Sequence, residues 1–150
     1  MNRLFSRLSF SALLLVATTG MASALDTSVA PGFFIQKSGN TTGGIVVTQH
    51  LRSHAVHVKG FRTQASLAIP FATGGRYALT AELRKTVFTQ SYAGAGLGVG
   101  RWNSQGSGGL TYDFLAGTHI ARHTYLEGRL YSPITKNGGH SGFIGVNFFL

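Results

Sequence analysis

The clearest pattern in this chain is an alternation of glycine with apolar residues between Tyr92 and Trp102. The glycines are Gly94, Gly96, Gly98 and Gly100, and the residues between them are Ala93, Ala95, Leu97 and Val99. Because successive side chains of a strand point to opposite faces, this period of two predicts a strand with one apolar face and one nearly bare face. Glycine weakens an isolated strand, so a bare face indicates crowding by neighbouring backbone or large side chains. A narrow closed barrel meets this condition, with apolar side chains outside and space for bulkier neighbours inside.

Similar strand-like runs, separated by turns rich in Gly, Asn and Ser, follow one another along the rest of the chain. The predicted strands are 32–38, 43–51, 55–70, 76–86, 90–102, 109–121, 123–133 and 142–150. Strands of about ten residues suit a tilted crossing of the bilayer, and about eight strands make the smallest usual outer-membrane barrel. The pattern therefore predicts an all-β, antiparallel, up-and-down transmembrane barrel of about eight strands.

The connections between these runs alternate in length. The short ones are Leu51–His54, Lys85–Thr89 and Ala121–His123, and the longer, glycine-rich ones are 37–44, 71–75, 103–109 and 132–141. Outer-membrane barrels have short periplasmic turns and longer external loops. The order of lengths therefore predicts that the second set faces the outside of the cell.

The same alternation places charged residues inside the barrel. Leu79 and Leu83 are predicted to face lipid, and the inner positions include Glu82, Arg84, Asp113, Glu127 and Arg129. A charge in the lumen needs a partner, because desolvating an unpaired one is costly. We expect the three carboxylates to pair with Arg84 and Arg129, with Arg101 as a further candidate, and so to plug the lumen. Tyr125 and Tyr131 fall on the inner face too, where they are candidates to cover strand glycines.

The N-terminal residues have the form of a cleavable signal peptide. Two arginines precede a short apolar run, Phe10–Ala17, and Ala22–Ala24 has the small residues of a cleavage site. The apolar run is shorter than the roughly 20 residues that a spanning helix needs. We therefore assign 1–24 to a signal peptide and 25–150 to a single barrel domain. Export without a spanning helix predicts a location in the outer membrane of a Gram-negative envelope.

The composition changes the expected partners more than the expected fold. The chain has no cysteine, and its formal net charge is +9, since it has only 4 acidic residues. Such an excess favours anionic partners. For an exported barrel, the expected anionic partners are outer-membrane lipids and lipopolysaccharide. The sequence has no clustered basic helix of the kind that binds nucleic acid, so a nucleic-acid partner is not predicted.

Four segments of the second half carry a resemblance to known proteins. They are Tyr92–Gly100, Asp113–Gly117, Tyr125–Tyr131 and Gly142–Leu150. In these segments the chain resembles the small outer-membrane β-barrel superfamily, the group around the OmpA transmembrane domain and the opacity-type adhesins. The last segment is similar to the C-terminal signal read by the barrel-assembly machinery, which the resemblance implies as a partner. Gly145, Phe148 and Leu150 fit the spacing of that signal, but Phe143 stands where a polar residue is usual and Leu150 where Phe is usual.

Three sets of residues invite a chemical interpretation, and each is outweighed by a simpler one. The glycine run lacks Gly-x-Gly-x-x-Gly spacing and a following helix, so it does not predict a dinucleotide site. His50, His54 and His57 lie close in sequence, but the last two have opposite strand parity and no acidic or cysteine neighbour. They are interpreted as turn or rim residues. We predict no metal-binding, cofactor-binding or catalytic residue.

The third set is His140 and Ser141, with Glu127 as a distant acid. A serine nucleophile needs a histidine within hydrogen-bond reach and an acid that orients it. Adjacency alone does not supply this arrangement, and the His-x-Ser-Asn pattern of lipid A deacylases is absent. Ser141 is better explained as the end of a turn that follows an Asn-Gly-Gly sequence.

The sequence thus predicts a non-enzymatic outer-membrane barrel with a plugged lumen and a structural or surface-interaction role, its extracellular partner unidentified. Two alternatives stay open. A lipid-modifying barrel enzyme would need His140, Ser141 or another histidine in a cleft open to the outer leaflet. A soluble barrel that binds a small ligand would need the reverse face assignment, with Leu79, Leu83, Leu97 and Val99 inside.

Overall fold

Eight strands form one closed antiparallel barrel, in which each strand pairs with its neighbours along the chain. A computed structural model describes residues 27–51, 59–72, 75–101, 108–134 and 139–150; the predicted signal peptide at 1–24 lies outside them. The strands are β1 (Thr27–Gln36), β2 (Thr41–His50), β3 (Arg62–Pro70), β4 (Tyr77–Phe88), β5 (Ser91–Arg101), β6 (Gly109–Ala121), β7 (Thr124–Pro133) and β8 (Ser141–Phe149). The predicted all-β, antiparallel barrel of about eight strands is confirmed. Within the described ranges, no helix is long and apolar enough to cross a membrane.

The two N-terminal boundaries differ most from the prediction. β1 begins at Thr27 rather than at residue 32, and it pairs with both β2 and β8 although it contains Pro31. Proline has no N–H to donate, so Pro31 contributes no backbone donor to these ladders. β3 begins at Arg62 rather than at residue 55, because Gly60 takes a left-handed turn conformation with a φ of 83°. Residues 55–58 of that predicted strand lie outside the described part.

The connections gather at two ends of the barrel. The loop end carries the connections 37–40, 71–76, 102–108 and 134–140, and the turn end carries 51–61, 89–90 and 122–123. β1 starts and β8 finishes at the turn end, where the Leu150 N–H donates to the Thr27 carbonyl oxygen over 3.0 Å. Two of the turn-end connections are as short as predicted. In the third, predicted as a short turn at Leu51–His54, residues 52–54 lie outside the described part, and β3 begins at Arg62.

The hairpin between β6 and β7 shows why such tight turns form here. His123 has a φ of 60°, in the left-handed region that two-residue hairpin turns use. The pairing shifts between His119 and Ala121, just before the turn. A similar shift between Thr86 and Phe88 precedes the turn that joins β4 to β5. Extra twist at these places lets long strands reverse direction over very few residues.

Burial alternates along the strands as predicted, and it is inverted relative to a soluble core. On β4 the buried side is polar, with Thr80 at 2%, Glu82 at 1% and Arg84 at 7% exposure. On β5 the outward Leu97 is 64% exposed and Val99 46%. The inner and outer faces assigned from the sequence are therefore confirmed for these strands. The soluble-barrel alternative needed Leu97 and Val99 inside, and they lie outside.

The inner glycines make room for large neighbours, as the sequence suggested. A Cβ on Gly117 would meet the ring of Tyr92, with the Tyr92 Cε1 atom at 2.8 Å. A Cβ on Gly96 would meet Glu82 Cγ at 2.6 Å and also the Asp113 carboxylate. Tyr125 and Tyr131, the candidates to cover strand glycines, are not among the nearest neighbours of either glycine: Glu82 and Asp113 lie beside Gly96, and Tyr92 covers Gly117.

Candidate functional site

The centre of the barrel holds an ion-pair cluster around the Arg129 guanidinium. Arg129 points inward from β7, and its guanidinium contacts three carboxyl groups at different positions on the inner wall. Its Nη1 lies 2.5 Å from Glu82 Oε1 and 3.5 Å from Asp113 Oδ2, and its Nε lies 2.7 Å from Glu127 Oε1. The Arg129 side chain is fully buried. A buried guanidinium is tolerated here because its donors find several partners in fixed positions.

Neutral side chains complete the cluster on the wall formed by β2 and β3. Arg129 donates to Ser66 Oγ over 2.9 Å and to Thr48 Oγ1 over 3.2 Å. Glu82 accepts from Gln64 Nε2 over 2.5 Å, from Thr80 over 2.9 Å and from Ser66. These bonds satisfy most of the lone pairs that burial removes from water.

The third carboxylate, Glu127, links the cluster to the turn end of the barrel. Its Oε2 accepts a hydrogen bond from the Tyr92 hydroxyl and a second one, of 3.0 Å, from Asn147 Nδ2. Tyr92 is 4% exposed and Asn147 2%. The cluster therefore extends from the middle of the lumen towards the turn end.

The predicted pairing of inner charges is confirmed for Arg129 and not for the other arginines. All three inner carboxylates use Arg129. Arg84 instead lies over the Tyr92 ring, 4.2 Å from its centroid, and Arg101 stands at the loop end of β5. The reason is the register: Arg84 is opposite Arg62 on β3, closer to the turn end than Glu82.

An aromatic layer lies in the lumen on the loop-end side of the cluster. The Phe34 ring packs 4.8 Å from that of Phe143 and 6.3 Å from that of Tyr131, centroid to centroid. Small apolar side chains of the neighbouring strands surround them, so the layer is a compact apolar cluster. Together with the charged cluster, it fills the lumen with side chains, as expected at this strand number.

The turn end carries an open, polar cavity of about 270 Å³. Its lining residues are Arg62, Arg84, Thr86, Thr89, Gln90, Ser91, Tyr92, His119 and Tyr125. Aromatic rings form its base: Tyr125 lies 5.6 Å from Tyr92, 5.1 Å from His119 and 5.2 Å from Phe149 between centroids. Sequence reasoning missed this cavity, because its walls come together only when the barrel closes.

The structure does not assemble the His140, Ser141 and Glu127 set. Ser141 points inward on β8, and Glu127 is engaged in the lumen cluster. His140 instead bonds through Nδ1 to the hydroxyl of Ser132, on the outer face near the loop end. Ser132 is 1% exposed, so its hydroxyl is covered rather than open to a substrate. This pair joins the last loop to β7 and lacks the acid that a nucleophile site needs.

The histidine set examined for metal binding is only partly placed. His50 ends β2 at the turn end and stacks on Phe149, with centroids 5.2 Å apart and planes 11° apart. His54 and His57 lie outside the described residues. Within the part that the structure describes, no three His, Cys, Asp or Glu side chains cluster as a metal site requires.

Comparison with known sequences gives no independent information about the fold or the cluster. No protein-family model and no curated protein matches the chain. The resemblance to small outer-membrane barrels therefore stays a prediction, and a function has to be inferred from the barrel itself.

Proposed function

We propose that this chain is an outer-membrane barrel protein with a plugged lumen, and that its role is structural or surface-interacting rather than enzymatic. The observation that carries the proposal is the inverted distribution of residues. Arg129, Glu82 and Glu127 are buried at the centre, while large apolar side chains cover the outside. In water this arrangement is unfavourable, because apolar surface is exposed and charge is buried. In a bilayer it is favourable, because apolar side chains contact lipid and the charged groups are kept away from it.

Exposed apolar side chains lie on the outer face of at least five of the eight strands. Exposed apolar residues from β1, β5, β6, β7 and β8 are Phe33 (60%), Leu97 (64%), Leu110 (59%), Phe114 (53%), Leu130 (47%) and Ile144 (49%). Soluble monomers rarely expose apolar patches larger than a few hundred Å². A band that runs over so many strands supports contact with lipid.

The filled lumen supports a structural role over passage of solutes. The charged cluster and the aromatic layer of Phe34, Tyr131 and Phe143 occupy successive levels of the interior. Barrels of this strand number have an interior that side chains fill. We therefore propose that the barrel anchors its four loop-end connections at the cell surface instead of conducting nutrients.

The proposal includes export, orientation and partners. Residues 1–24 would direct export. The C-terminal segment, with the exposed Phe148 on β8 and the exposed Leu150 directly after it, would be read by the barrel-assembly machinery. The loop end would face outward and the turn end the periplasm. The basic charge of the chain favours lipopolysaccharide and anionic lipid headgroups as neighbours.

Membrane partitioning tests this proposal. The full chain, with its own leader, is expressed in a Gram-negative host and the envelope is fractionated. We expect recovery with the outer membrane and faster gel migration of the unboiled sample than of the boiled one, because a folded barrel stays compact in detergent. A product that is soluble in the periplasm without detergent would overturn the proposal.

A further inference from the structure

The cavity at the turn end is walled by two arginines that face each other directly. Arg62 on β3 and Arg84 on β4 are register partners in the antiparallel pair. Both line the cavity of about 270 Å³. Like charges directly opposite in a sheet destabilise the pairing. Such a pair of cations is therefore unfavourable unless something offsets the repulsion.

Acidic side chains of the described barrel form no ion pair with either arginine. Glu82, Asp113 and Glu127 are all bound to Arg129 deeper in the lumen. Glu127 comes nearest, but the Tyr92 hydroxyl occupies it, and Tyr92 forms part of the cavity base. In the described residues, the cavity walls carry no carboxylate.

Arg84 is nevertheless held in a fixed position. Its guanidinium lies 4.2 Å from the Tyr92 ring centroid and 5.7 Å from that of Phe149. Arg84 is only 7% exposed, whereas Arg62 is exposed at the cavity edge. Stacking on aromatic faces fixes the plane of a guanidinium and leaves its edge N–H groups available as donors.

The remaining walls supply neutral hydrogen-bonding groups. They carry the Thr86, Thr89 and Ser91 hydroxyls, the Gln90 amide and the His119 imidazole. Two guanidinium groups with several hydroxyl and amide donors suit an oxyanion that has many acceptor atoms. A phosphate group has such acceptors on every side, and the cavity is large enough for a phosphate with a small substituent.

We propose that the turn-end cavity binds a phosphate group, held between Arg62 and Arg84. The phosphate is either a free anion or the headgroup of a phospholipid. This site goes beyond the structural role proposed above and does not depend on it, since the cavity belongs to the folded barrel in any surroundings.

Calorimetric titration of the folded full-length chain in a non-ionic, phosphate-free detergent tests the site. The probes are inorganic phosphate and sn-glycerol 3-phosphate, with chloride as the reference anion. We expect both phosphates to bind more tightly than chloride. Tighter binding of glycerol phosphate assigns the site to a lipid headgroup, and tighter binding of inorganic phosphate assigns it to the free anion.

Matched variants separate a built site from general charge attraction. Arg62→Gln and Arg84→Gln should each weaken phosphate binding by about tenfold, because each removes one charged donor. Arg122→Gln makes the same charge change in the exposed turn at the same end, and it should leave binding unchanged. Arg62 is exposed, so its variant tests the site even if Arg84→Gln fails to fold.

Two results would overturn the site. One is equal weakening by Arg122→Gln, which indicates screening by overall charge; the other is binding no stronger than that of chloride. Neither depends on where the protein is recovered in the fractionation experiment, so failure of this site and failure of the membrane proposal are distinguishable.

Discussion

Arg129 on β7 and Glu82 on β4 form an ion pair of 2.5 Å across the lumen, although no backbone ladder joins their strands. The pair therefore connects distant walls of the barrel through side chains alone. Ser66 on β3 contacts both partners, which brings a third strand into the same connection. The other two carboxylates, Asp113 and Glu127, contact the same guanidinium.

We predict that Arg129→Met strongly destabilises the barrel. The substitution leaves three buried carboxyl groups without their common cation. Breaking a buried ion pair from one side costs about 3–5 kcal/mol. Equilibrium urea unfolding in phospholipid vesicles, followed by the fast-migrating folded band, measures the loss of unfolding free energy.

Two comparisons sharpen this test. Arg122→Met, in the exposed turn between β6 and β7, should change the unfolding free energy by no more than about 0.5 kcal/mol. The double variant Glu82→Gln/Arg129→Met should cost less than the sum of its single variants, because each partner is harmful chiefly when left alone. A loss below about 1 kcal/mol for Arg129→Met, on the scale of an exposed ion pair, would contradict the central role of the cluster.

We predict that Gly117→Ala destabilises the barrel by overpacking. The new methyl group would occupy the space of the Tyr92 ring, which is fixed from the other side by Glu127. Overpacking of this kind costs about 1–3 kcal/mol in unfolding free energy. Gly142→Ala is the matched control, since its nearest neighbour, the Ile35 carbonyl oxygen, would be 3.9 Å away.

The Tyr92→Leu background checks the cause. Removing the ring should make Gly117→Ala nearly neutral in that background, because a shorter side chain leaves room for the methyl group. An equal cost of Gly117→Ala in both backgrounds would show that the penalty comes from backbone conformation instead of from the contact.

Alternation along the strands was enough to predict the faces of the barrel. On β6, for example, the alternation predicts Tyr112, Phe114 and Ala116 outside. It predicts Thr111, Asp113, Leu115 and Gly117 inside, and the burial pattern agrees. A one-residue slip would move every side chain to the wrong face, so this signal is strong wherever charged residues mark the inside. The central cluster was predictable to the extent that Arg129 and its carboxylates share the inner face.

What the sequence could not supply was the register around the barrel. Arg84 and Arg129 look equivalent in the pattern, yet pairing places Arg84 opposite Arg62 and away from the carboxylates. The same limit applies to the turn-end cavity, whose walls come from β3 to β7.

We predict that Tyr92→Phe weakens the link between the central cluster and the turn end. The variant keeps the ring over Gly117 and removes only the hydroxyl that donates to Glu127. A hydrogen bond to a charged group contributes about 1.5–3 kcal/mol. The urea midpoint of the folded band should fall accordingly. Tyr112→Phe, the same change on the outer face, should leave the urea midpoint unchanged. Equal shifts of the midpoint in the two variants would mean that the hydrogen bond to Glu127 does not stabilise the barrel.

The apolar outer face leads to the last prediction, which separates a bilayer from water as the natural surroundings. Leu97 lies near the middle of β5 and is 64% exposed, whereas Val87 is 49% exposed close to the turn end. In lipid, Leu97→Arg should lower the unfolding free energy by about 2–4 kcal/mol and Val87→Arg by about 0–1 kcal/mol, because the cost of a charge falls with distance from the midplane.

In water, each substitution should change the unfolding free energy by about 0.5 kcal/mol or less, since the arginine would be hydrated. Unfolding of the two variants in vesicles therefore reads out the depth of each position. A large cost at Leu97 with a small cost at Val87 follows only if β5 crosses the apolar layer. Equal and small costs would mean that this face contacts water, and the barrel would then have to be soluble despite its apolar exterior.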